Sequence, residues 1–198
     1  MNWIWYAARA GGFVAWGLAA ASVALGLALS GRVFRRPRPA WTMDMHRFLG
    51  GLAVIFTVVH VAALMADKYV DFGLRAVFVP LASSWHPVAV AWGVIAMYLL
   101  LAVELTSLAR RHIPRRLWRG VHLASFGLFA TSTVHALTAG TDTAAGLGML
   151  GVIFLAAGVI AMIARRIAGP SPAVAPGRVS EPVRSRVPER PVLATVDA

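Results

Sequence analysis

Five apolar runs, each long enough to cross a bilayer, constrain this chain more than any other feature. They lie at about 10–30, 45–66, 87–108, 119–138 and 146–164. Roughly 20 mostly apolar residues span the hydrocarbon core as a helix. In lipid the backbone must satisfy its own hydrogen bonds, so spanning segments are helices or closed barrels. These runs predict an all-α fold, a polytopic membrane bundle of five transmembrane helices. Composition agrees, since 59% of the 198 residues are hydrophobic and 14% charged, against about a quarter charged in a soluble domain.

Arginine placement sets the orientation. Arg32, Arg35, Arg36 and Arg38 follow the first run, Arg110, Arg111, Arg115, Arg116 and Arg119 follow the third, and Arg165 and Arg166 end the fifth. The connection of residues 67–86 carries only Lys68 and Arg75, offset by Asp67 and Asp71, and residues 139–145 carry no basic residue. The positive-inside rule then puts the N-terminus outside and the C-terminus in the cytoplasm, as in a multi-pass protein of a bacterial inner (plasma) membrane. The net charge of +11 follows from these runs and from anionic lipid headgroups, which excludes nucleic acid as the partner. The first run is too long for a signal peptide, lacks a basic start and ends in SGRVFRRPR, so it reads as a retained span. Residues 1–167 form the membrane domain. Residues 168–198, rich in Pro, Ser, Val and Arg, read as a disordered cytoplasmic tail.

Ionisable residues inside the membrane are functional candidates by default, and four histidines qualify. His46 and His60 are fourteen apart in the second run; His122 and His135 are thirteen apart in the fourth. Both runs go from inside to outside, so the helices are parallel. At 1.5 Å rise per residue the two levels are roughly 20 Å apart. The pairing is therefore His46 with His122 on the inner side and His60 with His135 on the outer. Phase fits one helix better than the other: fourteen residues return His60 to within roughly 40° of His46, whereas thirteen leave His135 about 140° from His122. Irregularity is expected around Gly127–Thr133, as bulges and kinks are common at functional sites. A lone buried histidine is more often a hydrogen-bonded structural residue; four matched in depth point to ligands. Zinc or copper would suit imidazole, but the two levels are too far apart for one ion and neither pair has an accompanying carboxylate or thiolate. The chain has no cysteine, which excludes thiolate haem and iron–sulfur ligation within it. Two b-type haems, each clamped by one pair, fit better.

The segments WYAARAGGFVAWGLAAASVALGLALSGR, MHRFLGGLAVIFTVVHVAALMADKYVDFG, WHPVAVAWGVIAMYLLLAVELTSLARR and LWRGVHLASFGLFATSTVHALTAGTD carry a resemblance over about residues 3–166. The chain resembles the ferric reductase-like transmembrane domain family, which includes ferric reductases, NADPH oxidases and the haem membrane subunit of the bacterial methionine sulfoxide reductase system. The resemblance implies that His46, His60, His122 and His135 ligate two b haems that pass electrons across the membrane. The chain departs from the oxidases and ferric reductases in showing no flavin or nucleotide domain and no GxGxxG between a strand and a helix.

Haem propionates need cationic or hydrogen-bonding partners. Arg47 and Arg119 flank the inner ligands, while Arg9 near the outer end of the first run could reach an outer propionate or snorkel to the headgroups. His86, opening the third run, could approach the outer haem or simply sit at the interface. Glu104, an acid inside a run, could serve proton or quinol chemistry or pair with Arg110 or Arg111. Gly50, Gly51 and Gly127 suit close approach of a porphyrin or ordinary helix packing. Trp3, Trp5, Trp41, Trp85 and Trp118 read as an aromatic belt, and residues 67–86 as a surface helix or cap. Three functions follow. In the first, electrons pass from a separate cytoplasmic flavoprotein or NAD(P)H reductase to an external acceptor such as ferric iron or oxygen. In the second, quinol is the donor and the chain anchors an extracytoplasmic reductase. The third is a non-redox scaffold binding metal or protons.

Overall fold

The computed structural model describes residues 3–30, 41–67, 72–139, 156–164 and 167. Among them the chain is entirely helical: α1 (Trp3–Ser30), α2 (Trp41–Ala66), a short α3 (Leu74–Phe78), α4 (Pro87–Leu108), a single 3₁₀ turn (Ala109–Arg111), α5 (Arg115–Leu123) and α6 (Ser125–Ala139). Residues 156–164 are also helical. Among the described residues three helices are long and apolar enough to cross a membrane: Trp3–Ser30, Trp41–Ala66 and Pro87–Arg111. They correspond to the first three expected spans. The fourth is divided into α5 and α6, and neither piece alone is long enough. Much of the fifth, the arginine-rich stretch 32–38, Lys68 and the tail 168–198 lie outside the described residues.

The division of the fourth span corrects one expectation. Irregularity was expected around Gly127–Thr133, but those residues lie within the regular α6. The break is at Ala124, whose N–H donates to Val121 O at 2.9 Å, before the four-residue ladder resumes with Leu128 N–H on Ala124 O at 2.8 Å. A tightened turn adds rotation per residue. One such residue adds only about 20°, so the break marks where the run between His122 and His135 departs from an ideal helix without by itself closing their phase difference.

Facing residues give the directions. Gly12 lies against His60 and Gly26 against His46, so α1 and α2 are antiparallel. Gly93 lies against His135 and Gly127 faces Leu99, so α4 and α6 are antiparallel too. His46 meets His122 and His60 meets His135, which makes α2 parallel to the α5–α6 unit. Ala19, Ala53, Ala96, Leu100 and Leu128 close the centre of these four helices. Small side chains there let the backbones approach, the usual device where lipid provides no hydrophobic drive between helices. A second cluster joins Trp16, Val23, Leu27 and Phe129 to Ala156 and Val159 of the last helical segment, and the Trp16 indole N–H donates to Thr133 Oγ1 at 3.0 Å. Phe48, Ile55, Val58 and Val59 of α2 remain exposed, as expected of a lipid-facing surface.

The described part of the connection after α2, residues 72–86, packs as a cap. Phe72 and Ala76 pack on Val90 and Val94 of α4, with Leu64 and Trp85 beside them. The Tyr98 hydroxyl donates to Phe78 O at 2.6 Å.

Ala20 is 1% exposed within the cluster that joins α1 to Phe129 and the last helical segment. Ala20→Leu is expected to destabilise the bundle by about 1–3 kcal/mol through overpacking, read as a lower unfolding temperature in detergent, while Ile55→Leu on the exposed face leaves it unchanged.

Candidate functional site

The four membrane histidines meet in two pairs. The ring centroids of His46 and His122 are 6.0 Å apart with planes at 75°; those of His60 and His135 are 6.3 Å apart, also at 75°. Each pair opens on a cavity. The one at the His60/His135 level is about 330 Å³ and includes Ala8, Gly12, Trp16, Gly93 and the cap residues Phe72, Ala76 and Val77 in its lining. The one at the His46/His122 level is about 180 Å³ and includes Ser22, Gly26, Gly50 and Glu104. Ala19, Leu100 and Leu128 line both, so an aliphatic layer separates the two levels.

Three of the rings are held in the same way. His60 Nδ1–H donates to Ala8 O at 2.6 Å, His135 Nδ1–H to Ala89 O at 2.8 Å, and His46 Nδ1–H to Ser22 O at 3.0 Å. Ser22 Oγ also lies 3.1 Å from His46 Nδ1. A carbonyl only accepts, so the proton is on Nδ1 and the lone pair is on Nε2. In each case a glycine stands four residues beyond the accepting carbonyl. A Cβ on Gly12 would lie 2.9 Å from His60 Nδ1, on Gly93 2.8 Å from His135 Nδ1 and Cε1, and on Gly26 3.2 Å from His46 Cε1. The pattern is Ala8/Gly12, Ser22/Gly26 and Ala89/Gly93. Residues four apart share a helix face, so one face supplies both the acceptor and the space for the ring. Sequence reasoning missed these glycines, although Gly12 and Gly26 repeat the fourteen-residue spacing of His46 and His60 on the helix opposite.

His122 differs. Among the described residues its Nδ1 is buried without a hydrogen-bond partner, and Trp118, one turn earlier on α5, stacks on it at 4.9 Å and 22°. The Arg110 guanidinium also lies over that indole, at 4.7 Å.

The other candidate residues are spread more widely. Arg9 is half-buried, lines the larger cavity and stacks on Trp5 at 4.5 Å. Arg47 and Arg119 are exposed, and neither lines the smaller cavity. His86 is exposed at the start of α4 with left-handed backbone (φ 39°), its ring against Trp85 rather than in the larger cavity. Glu104 lines the smaller cavity with His46 and His122, so this pair does have a carboxylate near it, against the expectation from sequence spacing; a Cβ on Gly50 would collide with that carboxylate. Gly51 has nothing close to it.

A model of the family described as ferric reductase like transmembrane component matches residues 11–133. The chain belongs to that family. No curated protein and no solved structure gives a significant match. The match covers most of the chain, including α2, α4 and three of the four histidines, and makes this a multi-pass membrane protein of the ferric reductase-like type. His135 lies two residues beyond it.

Members of the family typically bind haem, and these residues suit that group. Imidazole nitrogen sits about 2 Å from a first-row metal, so two rings on opposite sides of one metal have centroids about 6 Å apart, as both pairs do. Among the described residues no group of three or more His, Cys, Asp or Glu is gathered; an imidazole pair suits a cofactor that brings its own equatorial nitrogens. Bonds from Nδ1 to a carbonyl are of the kind that orient histidines in metal sites.

Filling the ring spaces tests this arrangement. Gly12→Ala and Gly93→Ala should each displace a ring of the His60/His135 pair and lower cofactor content at that level alone, roughly 10–100-fold in affinity where the Nδ1 bond is lost. Gly17→Ala, with nothing within 4 Å, should leave the visible spectrum of purified protein unchanged.

Proposed function

We propose that this ferric reductase-like protein transfers electrons across the membrane through two b-type haems, one held by His46 and His122 and the other by His60 and His135. The observation that carries the reading is the recurrence, at two levels, of an imidazole pair at metal-bridging distance facing a cavity. Bound haem supplies a one-electron iron couple whose potential the surroundings tune. The chain contributes the ligands, their orientation and the aliphatic layer of Ala19, Leu100 and Leu128, which keeps water out between the levels.

In this reading the bundle has five spans, with the His46/His122 level on the cytoplasmic side, where Arg110, Arg111, Arg115, Arg116 and Arg119 collect. The donor is a separate cytoplasmic flavin or NAD(P)H reductase and the acceptor is external, ferric iron or oxygen. Arg9, lining the larger cavity, is the cation placed for a propionate there. Arg47, Arg119 and His86 would need to rotate inward to serve one.

Glu104 supports a second reading in which quinol is the donor. It is a carboxylate lining the cavity nearer the cytoplasm, opposite Gly50, and could accept a quinol proton. Glu104→Gln should then slow reduction by quinol while leaving reduction by dithionite unchanged. Equal quinol rates in both proteins would remove this reading.

Purified protein should show a b-type spectrum. His46→Ala and His60→Ala should each abolish one component, about half of the haem, and leave the other. Protein made with ample haem yet lacking a Soret band would instead favour the non-redox scaffold.

A further inference from the structure

A porphyrin with two propionates makes the same demands at both levels: an imidazole on each side of its metal, room for the macrocycle, and a counter-charge for the carboxylates. The two levels meet these demands unequally. At the His60/His135 level both rings are held, by Nδ1–H bonds to Ala8 O at 2.6 Å and to Ala89 O at 2.8 Å. At the other level His46 has such a bond to Ser22 O at 3.0 Å, but among the described residues His122 Nδ1 is buried without a hydrogen-bond partner. A bond at the second nitrogen orients the ring and raises its basicity, and its loss typically costs about 10–100-fold in metal affinity.

The supporting structure differs in the same direction. His60 and His135 stand on α2 and α6, each of which buries residues against its neighbours. His122 stands next to the end of the nine-residue α5, which buries none. Local stability follows buried contacts, so α5 is the ligand-bearing helix that opens most easily. The cavities are about 330 Å³ at the His60/His135 level and about 180 Å³ at the His46/His122 level. A macrocycle of one size must therefore part the helices further at the second. Among the described residues Arg9 and Asp67 line the larger cavity, whereas Glu104 lines the smaller with no cation beside it. A guanidinium pairs with a carboxylate; a second carboxylate repels it. All four differences favour the same level.

We infer that the two levels hold haem unequally: the His60/His135 site fills first and retains its haem, and the His46/His122 site fills last and releases first. The inference rests on the two-haem reading above. A chain short of haem is then loaded at one level and cannot relay electrons to the other, so the His46/His122 site ties electron flow to haem supply.

Full-length protein loaded with haem can be mixed with excess apomyoglobin and the transfer followed in the Soret band. Haem should leave in two phases of about equal amplitude, at rates at least about tenfold apart. His46→Ala protein, left with the His60/His135 site, should show the slow phase alone, and His60→Ala protein the fast phase alone. A single phase in the wild type overturns the inference, as does the reverse assignment of the phases. Should either variant fail to fold, Gly12→Ala, which crowds the His60 ring, gives a second test. It should speed the slow phase and leave the fast rate as it is; a changed fast phase, or an unchanged slow one, overturns the inference. Absence of the b-type spectrum itself would overturn the two-haem reading with what rests on it, whereas a b-type spectrum whose haem leaves in one phase overturns this inference alone.

Discussion

A main-chain carbonyl on one helix takes the Nδ1 proton of an imidazole on the next, and a glycine one turn further along leaves space for the ring. Everything else in the bundle is arranged around that contact. A buried polar group without a partner is costly, and the carbonyls of a spanning helix are already engaged with their own N–H groups. They have a second lone pair to offer only where nothing covers them. Glycine four residues on uncovers them. The contact therefore fixes the axial register of α1 against α2 at two points, His46 on Ser22 and His60 on Ala8, and of α4 against α6 at one, His135 on Ala89.

That register brings the rings into pairs. With α1 and α4 fixed behind α2 and α6, the imidazoles meet at centroid separations of 6.0 and 6.3 Å, and the protons placed on Nδ1 leave the lone pair of three of them on Nε2. The layer of Ala19, Ala53, Ala96, Leu100 and Leu128 lies between the two levels. Its small residues serve the helix contact, and its apolar character keeps the two sites separate within the bundle. The α1–α2 half is complete at both levels. The α4–α6 half is complete only at His135, and the break at Ala124 falls on the incomplete side.

Much of this was legible in the chain. Apolar length read α1, α2 and α4 as spans because composition alone sets what hydrocarbon will accept. Equal depth on parallel helices paired His46 with His122 and His60 with His135, because rise per residue is nearly invariant. Phase also showed that the fourth run had to be irregular. Its location was not legible: Ala124 carries no Gly or Pro signal, and the tight turn there depends on what α5 and α6 pack against. The ring spaces went unread for a similar reason. Gly12 and Gly26 repeat the spacing of the histidines, but a glycine on one helix acquires meaning only from the side chain opposite. Arg47, Arg119 and His86 are close in sequence to the paired histidines or to span ends, and yet the structure leaves them exposed.

By itself, then, the sequence determined the medium, the helical class, and the existence and depth of four imidazoles, since transfer cost and helical rise act on each segment alone. Only the tertiary structure decided which carbonyl holds each ring, where the fourth run breaks, and that His122 is held differently from the other three. Those depend on facing surfaces of separate helices, whose register no single segment encodes.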